Sequence, residues 1–221
     1  MGTGRLRVWQ LVLCCAAAAA GNVLLYSFVS RFLRLSLFLD TLFTVTVTFI
    51  AGIVPGIITA LATSAATNLL FSIPPLYSLF ALCSITEVFI AASFRRGIPG
   101  SRIGVRGGGQ DMDALISIVA GLFLVAVIDC FVISILGGGV DFFISSVSTE
   151  PRQFFSPDDF KLGLLLNGLP VLLADILCRI PINIVDRFIV MFGAFGAALL
   201  FRRAREAKKP APKAQEGFPW N

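Results

Sequence analysis

Apolar residues run nearly unbroken through five stretches of the chain, Val8 to Phe28, Leu35 to Val54, Gly56 to Ser72, Leu76 to Phe94 and Ala114 to Leu136. Each is bounded by charges, Pro or Gly clusters. A helix needs about 20 apolar residues to cross ~30 Å of hydrocarbon, so each stretch predicts a transmembrane helix. A further apolar region, Leu162 to Phe201, has Pro181 in its middle; it is too long for one crossing and just long enough for two short ones.

Charge bias decides that region, because cytoplasmic flanks carry excess Lys and Arg. Three flanks are basic: Arg5 and Arg7 at the start; Arg95, Arg96, Arg102 and Arg106 after the fourth stretch; and Arg202, Arg203, Arg205, Lys208, Lys209 and Lys213 at the end. They share one side only if six helices cross. The expected fold is therefore all-α, a polytopic membrane helix bundle of six transmembrane helices with both termini cytoplasmic, in the cell membrane. Ile182 to Phe201 is the last crossing, and Leu162 to Ile180 is a broken or partly inserted helix on the outer side. Residues 1–201 form the bundle and 202–221 a basic, disordered cytoplasmic tail.

The outer loop, Gly137 to Phe160, then carries Asp141, Glu150, Asp158 and Asp159 against Arg152. Arg31 and Arg34, in the short outer loop after the first helix, read either as snorkelling interfacial side chains or as an electropositive lip for an anionic solute. The Gly triplets at 107–109 and 137–139 read as loop punctuation, since neither fits the phosphate-binding loop of nucleotide motors.

Composition agrees with a bilayer. The chain is 57% hydrophobic and 14% charged, with a mean hydropathy of +0.88, whereas soluble domains average about 25% charged. It contains no His, which excludes imidazole-based nucleophilic systems, metal sites and proton relays. Cys14, Cys15, Cys83, Cys130 and Cys178 lie in apolar runs without metal-binding spacing and read as small core residues. No catalytic group, cofactor, metal or nucleic-acid partner is expected. The apolar stretch after Arg7 is too long for a signal peptide and reads as the first helix.

Ionisable residues inside spans are costly, so each should face protein or water and have a partner. They are Asp40 early in helix 2, Glu87 midway through helix 4, Asp129 in helix 5, and Asp175, Arg179 and Asp186, followed by Arg187, in the last region. Asp40, Thr44, Thr48 and Gly52 recur at every fourth position, as do Gly56, Ala60, Ser64, Asn68 and Ser72. A turn at Pro55-Gly56 lets these two small, polar stripes pack together, the hydroxyls bonding back to their own helices. Asp175, Arg179 and Asn183 share a face if the helix continues through Pro181, and Asp175 would then pair with Arg179. Glu87 and Asp129 read either as neutral, hydrogen-bonded carboxyls or as a ligand, proton or sodium site.

The segments Phe38-Leu39-Asp40-Thr41-Leu42-Phe43-Thr44, Gly52-Ile53-Val54-Pro55-Gly56 and Thr67-Asn68-Leu69-Leu70, with Pro181-Ile182-Asn183-Ile184-Val185-Asp186-Arg187 opening the last helix, resemble the substrate-binding S components of energy-coupling-factor transporters. The resemblance covers most of the chain from helix 2 onward. It implies a six-helix protein that captures a vitamin or other micronutrient from outside, works with a transmembrane coupling protein and two ATPase subunits, and topples to release the solute. It also implies that small residues on helix 1, here Ala16 and Ala20, contact the coupling protein. The chain departs from the family in separating Gly52 and Pro55 where a Gly-Pro pair is expected.

The function expected is thus solute binding, with Asp40, Asn68, Glu87, Asp129, Asp175 and Asn183 as polar lining and Tyr77 as an aromatic wall. An excess of acids inside the spans would suit a solute carrying an amine or several donors. The alternatives are a self-sufficient secondary transporter coupled through Glu87 and Asp129, and a membrane sensor or assembly protein that transports nothing.

Overall fold

A computed structural model describes residues 8–32, 37, 39–97, 110–148 and 158–207. The elements are α1 (Val8–Ser27), continued by a π-helical turn at Phe28–Phe32; α2 (Leu42–Ala51); α3 (Ile53–Phe71); a 3-10 turn at Pro75–Phe80 leading into α4 (Ala81–Gly97); α5 (Gln110–Val147); α6 (Asp158–Leu166); α7 (Val171–Leu177); and α8 (Ile180–Ala207). Among the described residues there is no strand.

Five segments are long and apolar enough to cross a membrane: Val8–Ser30, Ile53–Phe71, Pro75–Arg95, Leu115–Val147 and Val171–Arg205. Val12, Leu24, Leu69, Phe123, Ile135 and Leu200 stand exposed on these segments. So much exposed large apolar surface fits a membrane-embedded protein.

The second predicted crossing is different. Its helix, α2, has 10 residues, about 15 Å of rise, and is surrounded by α1, α3, α4 and α8. Thr44 to Phe49 are all buried. A helix was expected from Leu35, with Asp40 inside it; instead Asp40 and Thr41 form a turn ahead of α2. Side chains from other helices explain the start. Leu39 N donates to Asp186 Oδ1 at 2.9 Å, and Phe43 N donates to Asn22 Oδ1 at 2.9 Å. These groups satisfy backbone donors at the helix entrance, so irregular backbone is tolerated there.

α2 and α3 are separated only by Gly52, whose φ of 104° is a conformation open to glycine. The reversal is therefore at Gly52, not at the expected Pro55-Gly56. Pro55 falls in the first turn of α3, where a missing N–H costs nothing. The predicted stripes do meet. A side chain at Gly56 would collide with Thr48 and Val88, and Thr48 and Thr59 bond back to the carbonyls four residues earlier.

Three other boundaries differ from expectation. α5 runs through 38 residues, so Gly137–Gly139 are helical, not loop. A Cβ at Gly138 would lie 2.8 Å from the backbone of Ile176; the glycine permits close packing of α5 on α7. The final region breaks at Cys178 and Arg179, ahead of Pro181, which sits in the first turn of α8. α8 continues to Ala207, so residues 202–207, expected in the tail, are helical. Residues 208–221, Arg5, Arg7, Arg34, Arg102, Arg106, Glu150, Arg152 and the 107–109 Gly triplet lie outside the described residues.

The main apolar core joins Val45 and Phe49 of α2 to Ala91, Ala126, Val190, Met191 and Ala194. Cys15, Ala18 and Val47 form a second cluster between α1 and α2. All five cysteines are free, and Cys15, Cys130 and Cys178 are buried.

Candidate functional site

A cavity of about 160 Å³ opens where α1 and α3 finish and α4 and α8 begin. Its wall is built from several elements: Tyr26 of α1, Asp40 and Thr41 ahead of α2, Thr63 and Asn68 of α3, Tyr77 and Phe80 of the 3-10 turn, Glu87 of α4, and Asn183 and Arg187 of α8. An engineered cavity of about 150 Å³ admits benzene, so the space suits a ring-sized group.

Several lining residues are held by neighbours. Asn68 Nδ2 donates to Ser78 Oγ at 2.9 Å, tying α3 to the 3-10 turn. Asn183 Nδ2 donates to Ser134 Oγ at 2.9 Å, joining α8 to α5. The Tyr77 and Phe80 rings stack with centroids 6.2 Å apart.

Arg187 forms the floor. Its Nη1 lies 2.5 Å from Glu87 Oε2 and 3.9 Å from Asp129 Oδ2, and its Nη2 lies 2.5 Å from Asp186 Oδ2. Nη1 also donates to Thr41 Oγ1 at 3.4 Å. Glu87, Asp129 and Asp186 are fully buried and Arg187 nearly so. One guanidinium thus joins α4, α5, α8 and the turn before α2. Three carboxylates surround it, and Asp40 stands at the cavity wall.

A second ion cluster lies between α5, α6 and α7. Lys161 pairs with Asp175 and stands 3.7 Å from Asp141, while Arg179 Nη2 is 3.5 Å from Asp141. The Arg179 guanidinium also rests 5.2 Å from the centre of the Phe80 ring, at the edge of the cavity. Arg179 therefore pairs with Asp141, not with the expected Asp175, because the break at Cys178 and Arg179 turns it off the α7 face. Of the residues expected to share a face through Pro181, Arg179, Asn183 and Arg187 line the same cavity, while Asp175 turns to Lys161.

The opposite end of α2 is held by cations. Arg95 Nη1 donates at 3.2 Å to Thr48 O, which also accepts from Gly52 N, and Arg202 Nη2 donates at 3.1 Å to Phe49 O, placing cations at the helix C-terminus, where the dipole favours them.

Of the residues singled out in the sequence, Asp40, Asn68, Tyr77, Glu87 and Asn183 come together on the cavity wall. Asp129 sits behind them against Arg187, and Asp175 belongs to the second cluster. Ala16 and Ala20 are exposed on α1 while Ala18 and Ala19 are buried.

Two central side chains stand outside the expected lining: Arg187, named in the sequence but given no role, and Asn22, not singled out at all. Arg187 was readable as the cation that several buried acids require. Asn22 is fully buried; its Nδ2 donates to Thr44 Oγ1 at 2.8 Å and to Thr63 Oγ1 at 3.1 Å, so it locks α1, α2 and α3 together. A lone amide in an apolar span was its signal. No protein-family model, curated protein or solved structure matches this chain.

Proposed function

We propose that the chain is the membrane-embedded solute-binding subunit of a micronutrient uptake transporter of the energy-coupling-factor kind. In this reading α2, with the segment before it, completes a sixth crossing, both termini are cytoplasmic, and the cavity opens to the outside. The exposed Ala16 and Ala20 meet a transmembrane coupling protein that works with two ATPase subunits. The observation that carries the reading is the cavity itself. Polar groups from α3, α4, α8 and the turn before α2 converge on it among aromatic rings, as a small-molecule site requires, and its floor is closed by the Arg187 cluster. The break ahead of α2 supports it as well, since irregular backbone at membrane depth belongs where it lines a cavity.

The test is mass spectrometry of small molecules released from the gently purified protein, together with identification of co-purifying proteins. A vitamin-sized compound, with ATPases recovered alongside, is the expected result. Neither solute nor ATPases would shift the function to a sensor or assembly role. The position of Asp129 beside the Glu87 and Arg187 pair favours one rival, a secondary transporter coupled through the two acids; solute uptake into vesicles containing this chain alone would establish that rival instead.

A further inference from the structure

The charges around the cavity are unequal in their pairing. Arg187 is bracketed by Glu87 and Asp186 and faces Asp129. Arg179 is engaged by Asp141 and the Phe80 ring. Both cations at the wall are therefore already neutralised by protein. The acids are not. Asp40 forms no ion pair within 4.0 Å among the described residues, and of the two buried Glu87 oxygens it is Oε2 that meets Arg187. With Asp40, Glu87, Asp129 and Asp186 ionised, the group around Arg187 carries a formal charge of −3. A buried excess of that kind must be met by protons on the carboxyls or by a counter-charge from outside the chain. The rings of Tyr26, Tyr77 and Phe80 stand on the same wall, and aromatic faces attract cations.

We propose that the solute carries a cationic nitrogen on or beside a small ring, held between Asp40 and Glu87 with the ring against Tyr77 and Phe80. The assignment rests on the solute-binding reading and adds the charge of what is bound. An anionic solute would have to displace Asp141 or Glu87 from an arginine, and a neutral donor would meet Asp40 with a hydrogen bond but leave its charge unanswered.

Three probes of one shape separate these cases: benzylammonium, benzyl alcohol and benzoate, titrated into the detergent-solubilised full chain by calorimetry at neutral pH and low salt. Benzylammonium should bind at least about tenfold more tightly than benzyl alcohol, the size of one charge-assisted contact, and benzoate should not bind. Asp40→Asn should bring the ratio of benzylammonium to benzyl alcohol affinity down to about one. Benzyl alcohol or benzoate binding as well as benzylammonium would overturn the cation and leave the pocket standing. No heat from any probe, in a protein that also retains no solute through purification, would overturn the pocket and the cation together.

Discussion

Two buried ion clusters occupy one helical bundle and differ in arithmetic. Between α5, α6 and α7, Lys161 and Arg179 face Asp141 and Asp175, two cations against two anions. Under the cavity, Arg187 alone faces Glu87, Asp129 and Asp186. A balanced cluster satisfies itself and fixes how short helices dock. An unbalanced one is incomplete without a proton or a bound cation, and it lies where a solute can reach it. Burial of the acid alone does not decide which kind of cluster it joins, since Asp175 and Glu87 are equally buried. Charge count does.

The comparison breaks hardest at Arg187. Arg187→Met leaves three buried carboxylates with no cation, and losing one partner of a buried pair costs about 3–5 kcal/mol. Unfolding in detergent should show a loss of that size or failure to accumulate folded protein. A variant as stable as the parent would mean that the acids are held neutral and that the excess charge is nominal.

In the balanced cluster, Lys161→Met alone should cost about 3 kcal/mol by taking away the cation paired with Asp175, and adding Asp175→Leu should restore most of it, because removing a whole buried pair is often neutral. The coupling is read by a double-mutant cycle. Additive losses would show that Asp175 has a second duty beyond answering Lys161. No such single rescue is available under the cavity, where two further acids remain.

The docking that the balanced cluster serves has its own test. Gly138→Ala places a methyl 2.8 Å from the backbone of Ile176, and α7 must move away, at about 1–3 kcal/mol. A stable Gly138→Ala protein with unchanged solute binding would show that α7 sits independently of the cavity.

Much of this arrangement was legible in the sequence, and the gaps have physical causes. The long apolar runs predict the long helices because lipid demands length and apolarity, and both are visible residue by residue. The start of α2 was not legible. Leu37 to Leu42 is apolar apart from Asp40 and Thr41, and the groups that take the Leu39 and Phe43 N–H donors and so set where α2 starts are Asp186 and Asn22, far away in sequence. Likewise the helical course of Gly137–Gly139 depends on α7 lying close enough to need glycine, whereas locally three glycines read as a loop. Isolated polar residues in apolar runs flagged most of the cavity wall, since their cost there is a local property. Which cation answers which acid is a matter of tertiary position, and so Asp175 was paired with Arg179 when Lys161 holds it.

The smallest expected effect on stability separates the two clusters most cleanly. Asp40 is half-buried at the cavity wall, forms no ion pair within 4.0 Å among the described residues, and lies in a turn outside α2, so Asp40→Asn keeps the shape and removes a charge that is in contact with no described cation. Stability should change by no more than about 0.5 kcal/mol, as for substitutions away from packed or paired groups. Solute retained through purification should nevertheless fall sharply. If the residue were structural, like Asp175, the order would reverse: unfolding would shift by several kcal/mol and the folded fraction would still hold its solute. Measuring midpoint and retained solute on the same preparation decides between them, because a carboxylate that matters to binding and not to folding is one whose partner comes from outside the chain.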